Sequence, residues 1–175
     1  MQNESLAKKI YKESHLVGNF KLRSGKISNE YFDKYLFESN PELLGEIAKA
    51  MQSNIPENVD AIAGLEMGGI PIATAISLEK NINVLFVRKV AKNYGTCKLA
   101  EGGEINNKKI CIIEDVVTTG GQIIKSVNEL REKGCIIDTV LCVILRDTAA
   151  IDLLKAEGLQ LIPLFTMEYL QEVSR

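Results

Sequence analysis

Lys109-Ile110-Cys111-Ile112-Ile113-Glu114-Asp115-Val116-Val117-Thr118-Thr119-Gly120-Gly121-Gln122 is the stretch that organises this chain. Ile110 to Ile113 is a short, apolar, β-branched run of strand length. The carboxylates Glu114 and Asp115 come next, followed by small apolar residues, hydroxyls and glycines. Beyond Gln122, the residues Ile123, Ile124, Val127 and Leu130 fall at helical spacing. The carboxylates and hydroxyls are therefore expected where a strand ends and a helix begins. In an open α/β sheet that crevice takes ligands.

The residue types define the ligand. Backbone N–H groups around Thr119, Gly120 and Gly121 can converge, because glycine accepts the required dihedrals. A helix starting near Gln122 adds the positive end of its dipole, and Thr118 and Thr119 add hydroxyl donors. This is a cup for a phosphate. Glu114 and Asp115 repel that anion, but they can accept hydrogen bonds from vicinal hydroxyls or hold Mg²⁺ through water. A ribose 5-phosphate satisfies both halves. A plain capped turn is the alternative for a lone Thr-Gly pair, and the fuller pattern favours phosphate. No Gly-Lys-Ser/Thr follows, so this is not a nucleoside-triphosphatase loop.

At 175 residues, with 46% apolar and 25% charged residues, the chain reads as one globular domain spanning 1–175. A net charge of −2 gives no broad basic surface for nucleic acid. No apolar run approaches the ~20 residues of a membrane span, and the N-terminus lacks a signal-peptide core, so a cytoplasmic location and no membrane partner are expected. Cys97, Cys111, Cys135 and Cys142 form no CxxC pair and His15 is the single histidine, which argues against zinc. Cys111 and Cys142 read as core, and Cys97 as exposed.

Residues 3–14 form an amphipathic helix through Leu6, Ala7, Ile10 and Tyr11, and His15 after it is assigned no role. Residues 19–37 read as strands around the turn Ser24-Gly25-Lys26, with Phe20 and Leu22 in the core. Adjacent Tyr31 and Phe32 would face opposite sides of such a strand, so one could flank a planar ligand. Pro41 to Met51 is helical, Val59 to Ala63 a strand, and Gly64 to Pro71 a second glycine loop before a helix at Ile72 to Leu78. Asn83 to Arg88 is a strand. Residues 88–104 form a long basic loop whose Arg88, Lys89 and Lys92 could clamp a polyphosphate. A solvated hairpin is the alternative, and the downstream motif favours a closing lid. Cys135 to Leu145 is a strand that ends at Arg146, on the ligand edge. A helix at Ala149 to Ala156 capped by Gly158, a strand at Leu159 to Leu164 and a helix at Met167 to Val173 complete a doubly wound, mostly parallel α/β sheet.

The stretch around Glu114-Asp115 resembles the 5-phosphoribosyl 1-diphosphate (PRPP) signature of the type I phosphoribosyltransferases. Along nearly its whole length the chain is similar to the orotate phosphoribosyltransferase family. The likeness rests on Phe20-x-Leu22-x-Ser24-Gly25-x-x-Ser28-x-x-Tyr31-x-Asp33, Gly68-Gly69-Ile70-Pro71, Arg88-Lys89-x-x-Lys92-x-x-Gly95, and Glu114-Asp115 through Gly121. The resemblance implies that fold, with a small N-terminal hood at 1–37 and a mobile lid at 88–104. It implies transfer of the phosphoribosyl group from PRPP to orotate, giving orotidine 5′-phosphate and diphosphate in pyrimidine synthesis.

By the same resemblance, Glu114 and Asp115 meet the ribose hydroxyls, and Val116, Val117, Thr118, Thr119, Gly120, Gly121 and Gln122 surround the 5-phosphate. Met67, Gly68 and Gly69 form the diphosphate loop, and Arg88, Lys89, Lys92 and Tyr94 reach the diphosphate, partly across a homodimer. Lys89, Lys92 and Asp115 are the implied catalytic residues, and Arg23, Tyr31, Phe32, Thr118 and Arg146 the implied orotate contacts. Mg²⁺ is implied as cofactor, held mainly by PRPP and water. The chain departs from the family in Tyr94 for a lid histidine, Arg23 for lysine, Leu145 for an acidic residue, and no glutamate and glycine after Arg146. A transferase for a purine or other base, or a non-catalytic PRPP-binding regulator, are the competing readings.

Overall fold

A computed structural model of the chain describes residues 3–22, 24–91 and 98–175. Helix α1 (Glu4–Ser14) starts where the Asn3 side chain accepts the Leu6 N–H at 3.1 Å, and it buries Leu6, Ala7 and Ile10 on one face. The hairpin β1 (His15–Lys21) and β2 (Ile27–Phe32) follows, then helices α2 (Lys34–Ser39) and α3 (Pro41–Met51). Asn40 caps α3 through the Glu42 and Leu43 N–H groups, with Pro41 in the first turn.

The central sheet holds β3 (Ala61–Leu65), β4 (Asn83–Val87), β5 (Ala100–Glu101), β6 (Lys109–Val117), β7 (Ile136–Leu145) and β8 (Gln160–Thr166). Its order is β5-β4-β3-β6-β7-β8, parallel except for β5 at the edge. Helices α4 (Gly69–Lys80), α5 (Gly121–Glu132) and α6 (Ala149–Ala156) connect the parallel strands, and α7 (Met167–Val173) closes the chain. Alternation along β6 splits its side chains between two cores. Ile110 and Ile112 pack with Val127, Leu130 and Leu154, while Cys111 and Ile113 pack with Ile47, Ile72 and Phe165. From β3 the chain winds one way to β4, and from β6 the other way to β7 and β8. The reversal lies between β3 and β6, so the loops leaving those two strands share the ligand crevice.

Several boundaries differ from the sequence expectation. Strand β6 runs on to Val117, because Glu114, Val116 and Val117 continue the parallel ladder with β7, so the two carboxylates lie inside the strand. Residues 34–39 are helix rather than strand, since the Asp33 side chain caps the Tyr35 N–H at 3.1 Å. Strand β3 starts at Ala61 and takes in Gly64 and Leu65. Phe20 and Leu22 are half-buried and belong to neither core; Phe32 is the hairpin residue that packs against the second core, while the Phe20 and Tyr31 rings lie 5.5 Å from each other. The loop 88–104 is anchored at its far end. Leu99 and Ala100 are buried, the Arg88 N–H donates to the Leu99 carbonyl at 2.9 Å, and β5 pairs with β4. A two-residue strand is too short to register as a period. Among the described residues, no helix is long and apolar enough to cross a membrane.

Candidate active site

The glycine loop after β6 builds the centre of the crevice. Gly120 has a φ of +78°, in the left-handed region, and the Leu154 side chain fills the space a Cβ would need. Helix α5 starts at Gly121 without a side-chain cap, so its first N–H groups remain available to an anion. A cavity of about 340 Å³ opens over this turn. Its walls include Glu114, Val116, Val117, Thr118, Thr119, Gly120, Gly121 and Gln122, as well as Met67 and Gly68 from the β3–α4 loop and Arg88 and Lys89 from the end of β4. The structure thus brings those sequence-predicted residues together.

The β3–α4 loop lies close against β6. A Cβ on Gly69 would overlap the Ile113 carbonyl oxygen, and one on Gly64 would lie 2.7 Å from the Gly69 carbonyl oxygen. The Glu66 N–H donates to the Val87 carbonyl at 2.8 Å, and the Glu66 carboxylate accepts the Lys89 N–H at 2.9 Å, which fixes the loop to β4. The Glu66–Met67 peptide is cis.

The adjacent carboxylates do not share this cavity. Glu114 lines it, with Oε2 buried and without a hydrogen-bond partner among the described residues. Burial first, and then the neighbouring Asp115, push the Glu114 carboxyl up to about 8. Asp115 is 1% exposed. It takes the Lys34 ammonium and the Val116 N–H. Gly68 lies directly over it: a Cβ there would overlap the Asp115 carboxylate and sit 2.9 Å from Glu38 Oε1. In this structure the Asp115 carboxylate lies beneath Gly68 and is engaged by Lys34, two residues that themselves line the cavity. Glu38, 6% exposed, is the third buried carboxyl; burial and then Asp115 hold it well above the ordinary range, so it is neutral at pH 7.

The expected base-binding residues are divided. Tyr31, Phe32 and Arg146 meet around a second hollow of about 300 Å³, with Tyr11, His15 and Glu30. The Arg146 guanidinium lies 5.8 Å from the Phe32 ring centroid, and the Arg146 N–H donates to the Val117 carbonyl at 2.8 Å, beside the phosphate turn. Thr118, expected at both the phosphate and the base, lines the phosphate cavity. His15 stacks on Tyr11 at 4.8 Å and contacts Glu30 at 2.9 Å. Arg23, Lys92 and Tyr94 lie outside the described residues, as does Cys97. Lys34, Glu38 and Glu66 were not anticipated. Lys34 and Asp115 are 81 residues apart, so no local pattern could pair them.

A larger hollow of about 620 Å³, lined by Lys109, Asp138 and Lys155, sits at the amino ends of β6 and β7. It adjoins the C-terminus of α6, whose dipole disfavours anions. Among the described residues, no group of three or more His, Cys, Asp or Glu side chains is arranged to hold a metal.

Residues 37–164 match the phosphoribosyl transferase domain. The chain is 45% identical to an orotate phosphoribosyltransferase of Nocardioides sp. over 93% of this chain and 90% of that protein. It is 42% identical to one of Methanocaldococcus jannaschii over 88% of each. Among solved structures, Mycobacterium tuberculosis H37Rv orotate phosphoribosyltransferase with Fe(III) dicitrate superposes at a TM-score of 0.87, with 27% identity over 97% of this chain and 99% of that one. The same enzyme in complex with PRPP gives 0.82, with 25% identity over 98% and 99%. With a nucleotide-sized crevice at the sheet reversal, an open phosphate turn, and these relatives spanning nearly the full chain, the protein belongs to the orotate phosphoribosyltransferase family.

Proposed function

We infer that this chain transfers the 5-phosphoribosyl group of PRPP to a ring nitrogen of orotate, forming orotidine 5′-phosphate and releasing diphosphate. The observation that carries the reading is the uncapped turn from Thr118 to Gln122, which shares one cavity with Glu114, Arg88 and Lys89. The 5-phosphate sits on the N–H groups of that turn and on the Thr118 and Thr119 hydroxyls. Glu114 is the carboxyl within reach of the ribose diol. Its raised pKa, caused first by burial and then by Asp115, suits a group that changes protonation when a polar ligand binds.

Bond breaking at C1 leaves positive charge on the ribose and negative charge on the departing diphosphate. Lys89 and Arg88 line the wall where that charge develops, next to the Met67-Gly68-Gly69 loop, and Lys92 and Tyr94 join them from the lid. Mg²⁺ would supply further charge neutralisation when bound, held mainly by PRPP and water, with Glu114 able to reach it through water. By the family resemblance, closure of the 88–104 lid would exclude water from the reacting centre. Orotate already carries negative charge, so the protein mainly orients it, with Arg146 on its carboxylate, Phe32 and Tyr31 beside the ring, and Arg23 and Thr118 at its edge. A homodimer that shares the lid, and a cytoplasmic setting, complete the reading.

The test is loss of orotate absorbance on adding PRPP and Mg²⁺, run beside a panel of adenine, guanine, hypoxanthine and uracil. Turnover of orotate alone is expected. Turnover of a purine alone would replace the base assignment, and no diphosphate release with any base would overturn enzymatic transfer.

A further inference from the structure

The wall of the phosphate cavity formed by Glu66, Met67 and Gly68 carries no cation of its own. Besides Arg88 and Lys89, one more cation reaches that cavity from elsewhere in the chain. Lys34, the first residue of α2, lines the same cavity and its side chain is 33% exposed. Its ammonium is bonded to the buried Asp115 carboxylate and lies 5.2 Å from the Tyr35 ring centroid. The missing side chain of Gly68 is what admits the Asp115 carboxylate beneath the loop, since a Cβ there would overlap it. Burial alone lowers the Lys34 pKa, but the hydrogen bond and charge of Asp115 outweigh it, so the ammonium stays charged.

We propose that Lys34 is a further substrate-contacting residue, supplying to the diphosphate the cation that the β3–α4 loop lacks, with the buried Asp115 as its positioning residue. The geometry gives each group a reason for its place. Asp115 lies buried beneath Gly68 and acts on the cavity through Lys34. Lys34 has three donors, and one bond to Asp115 leaves others for phosphate oxygens. Arg88, by contrast, is partly engaged by Glu101 at 3.7 Å. The proposal rests on the diphosphate reading of this cavity.

The test is calorimetric binding of magnesium diphosphate, with inorganic phosphate as a second probe for the 5-phosphate turn. Lys34→Met leaves the buried Asp115 charge without its cation, which destabilises the fold; the pair Lys34→Met/Asp115→Asn removes both charges and keeps the comparison open. The expected result is at least tenfold weaker diphosphate binding in either variant, unchanged inorganic phosphate binding, and a double variant no weaker than the single. Recovery of most of the affinity in Lys34→Arg is expected too. In the wild-type protein, the Lys34 Nζ resonance should move with magnesium diphosphate and stay in place with inorganic phosphate. An unmoved resonance, or wild-type diphosphate affinity in the double variant, overturns the proposal. Failure of the wild-type protein itself to bind diphosphate would instead sink the underlying reading of the cavity.

Discussion

The two glycine loops that face each other across the crevice are built in opposite ways. The turn after β6 is local: Gly120 takes the left-handed conformation, Gly121 opens the helix with nothing within 4 Å of its Cβ position, and the donors are backbone N–H groups of the turn itself. The loop after β3 is shaped from a distance. Its Gly68 rests on Asp115 and Glu38, its Gly69 on the Ile113 carbonyl, and its Glu66 is tied to Val87 and Lys89. A backbone cup needs only a short sequence, whereas a charged wall needs elements that meet only in the fold.

Substitutions at the glycines should break this contrast if it is wrong. The largest effect is expected at Gly68→Ala, where the new methyl overlaps a buried carboxylate. A loss of about 3 kcal/mol in chemical denaturation, with a raised KM for PRPP, is expected from overpacking against immobile groups. Near-normal stability would mean that the loop is not seated on Asp115. Gly120→Ala comes next, combining a φ of +78° with overlap of Leu154. About 2 kcal/mol is expected there, with weaker inorganic phosphate binding as the second readout. Wild-type phosphate affinity in that variant would place the anion elsewhere.

The buried carboxyls sharpen the comparison through pH. Glu114 titrates ordinarily at 4.5 and is pushed up to about 8 in the fold. A raised folded value means that the neutral form is favoured by folding, so this contribution is complete below about 4.5 and is lost as pH rises through about 8. Glu38 is shifted the same way. Denaturation midpoints should fall across that window, and Glu114→Gln should flatten part of the slope. A midpoint that rises with pH would contradict the burial of Glu114 beside Asp115. The smallest effect belongs to Gly121→Ala, which meets open space, with a change within about 0.5 kcal/mol. A large loss there would show that the turn is more constrained than its neighbours indicate.

Much of the architecture was legible because long, strongly patterned runs carry it. The limits of α3 at Pro41 and Met51 and of α6 at Ala149 and Ala156 follow from Pro, Gly and apolar spacing. The phosphate turn was legible because its chemistry is local. The extension of β6 was hidden, since Glu114 and Asp115 read as the end of an apolar run while the ladder with β7 carries them further. That extension places Glu114 in the cavity wall and Asp115 beneath Gly68 beside it. Lys34 and Glu38 carried no signal, because their partner is supplied by a strand far along the chain.

The most direct measurement is a crystal structure of the chain with PRPP and Mg²⁺. The 5-phosphate is expected within about 2.7–3.2 Å of the N–H groups between Thr119 and Gln122, with the ribose diol at Glu114 and the diphosphate beside Gly68. An empty turn, or PRPP bound in the hollow at the amino ends of the strands, would contradict the account.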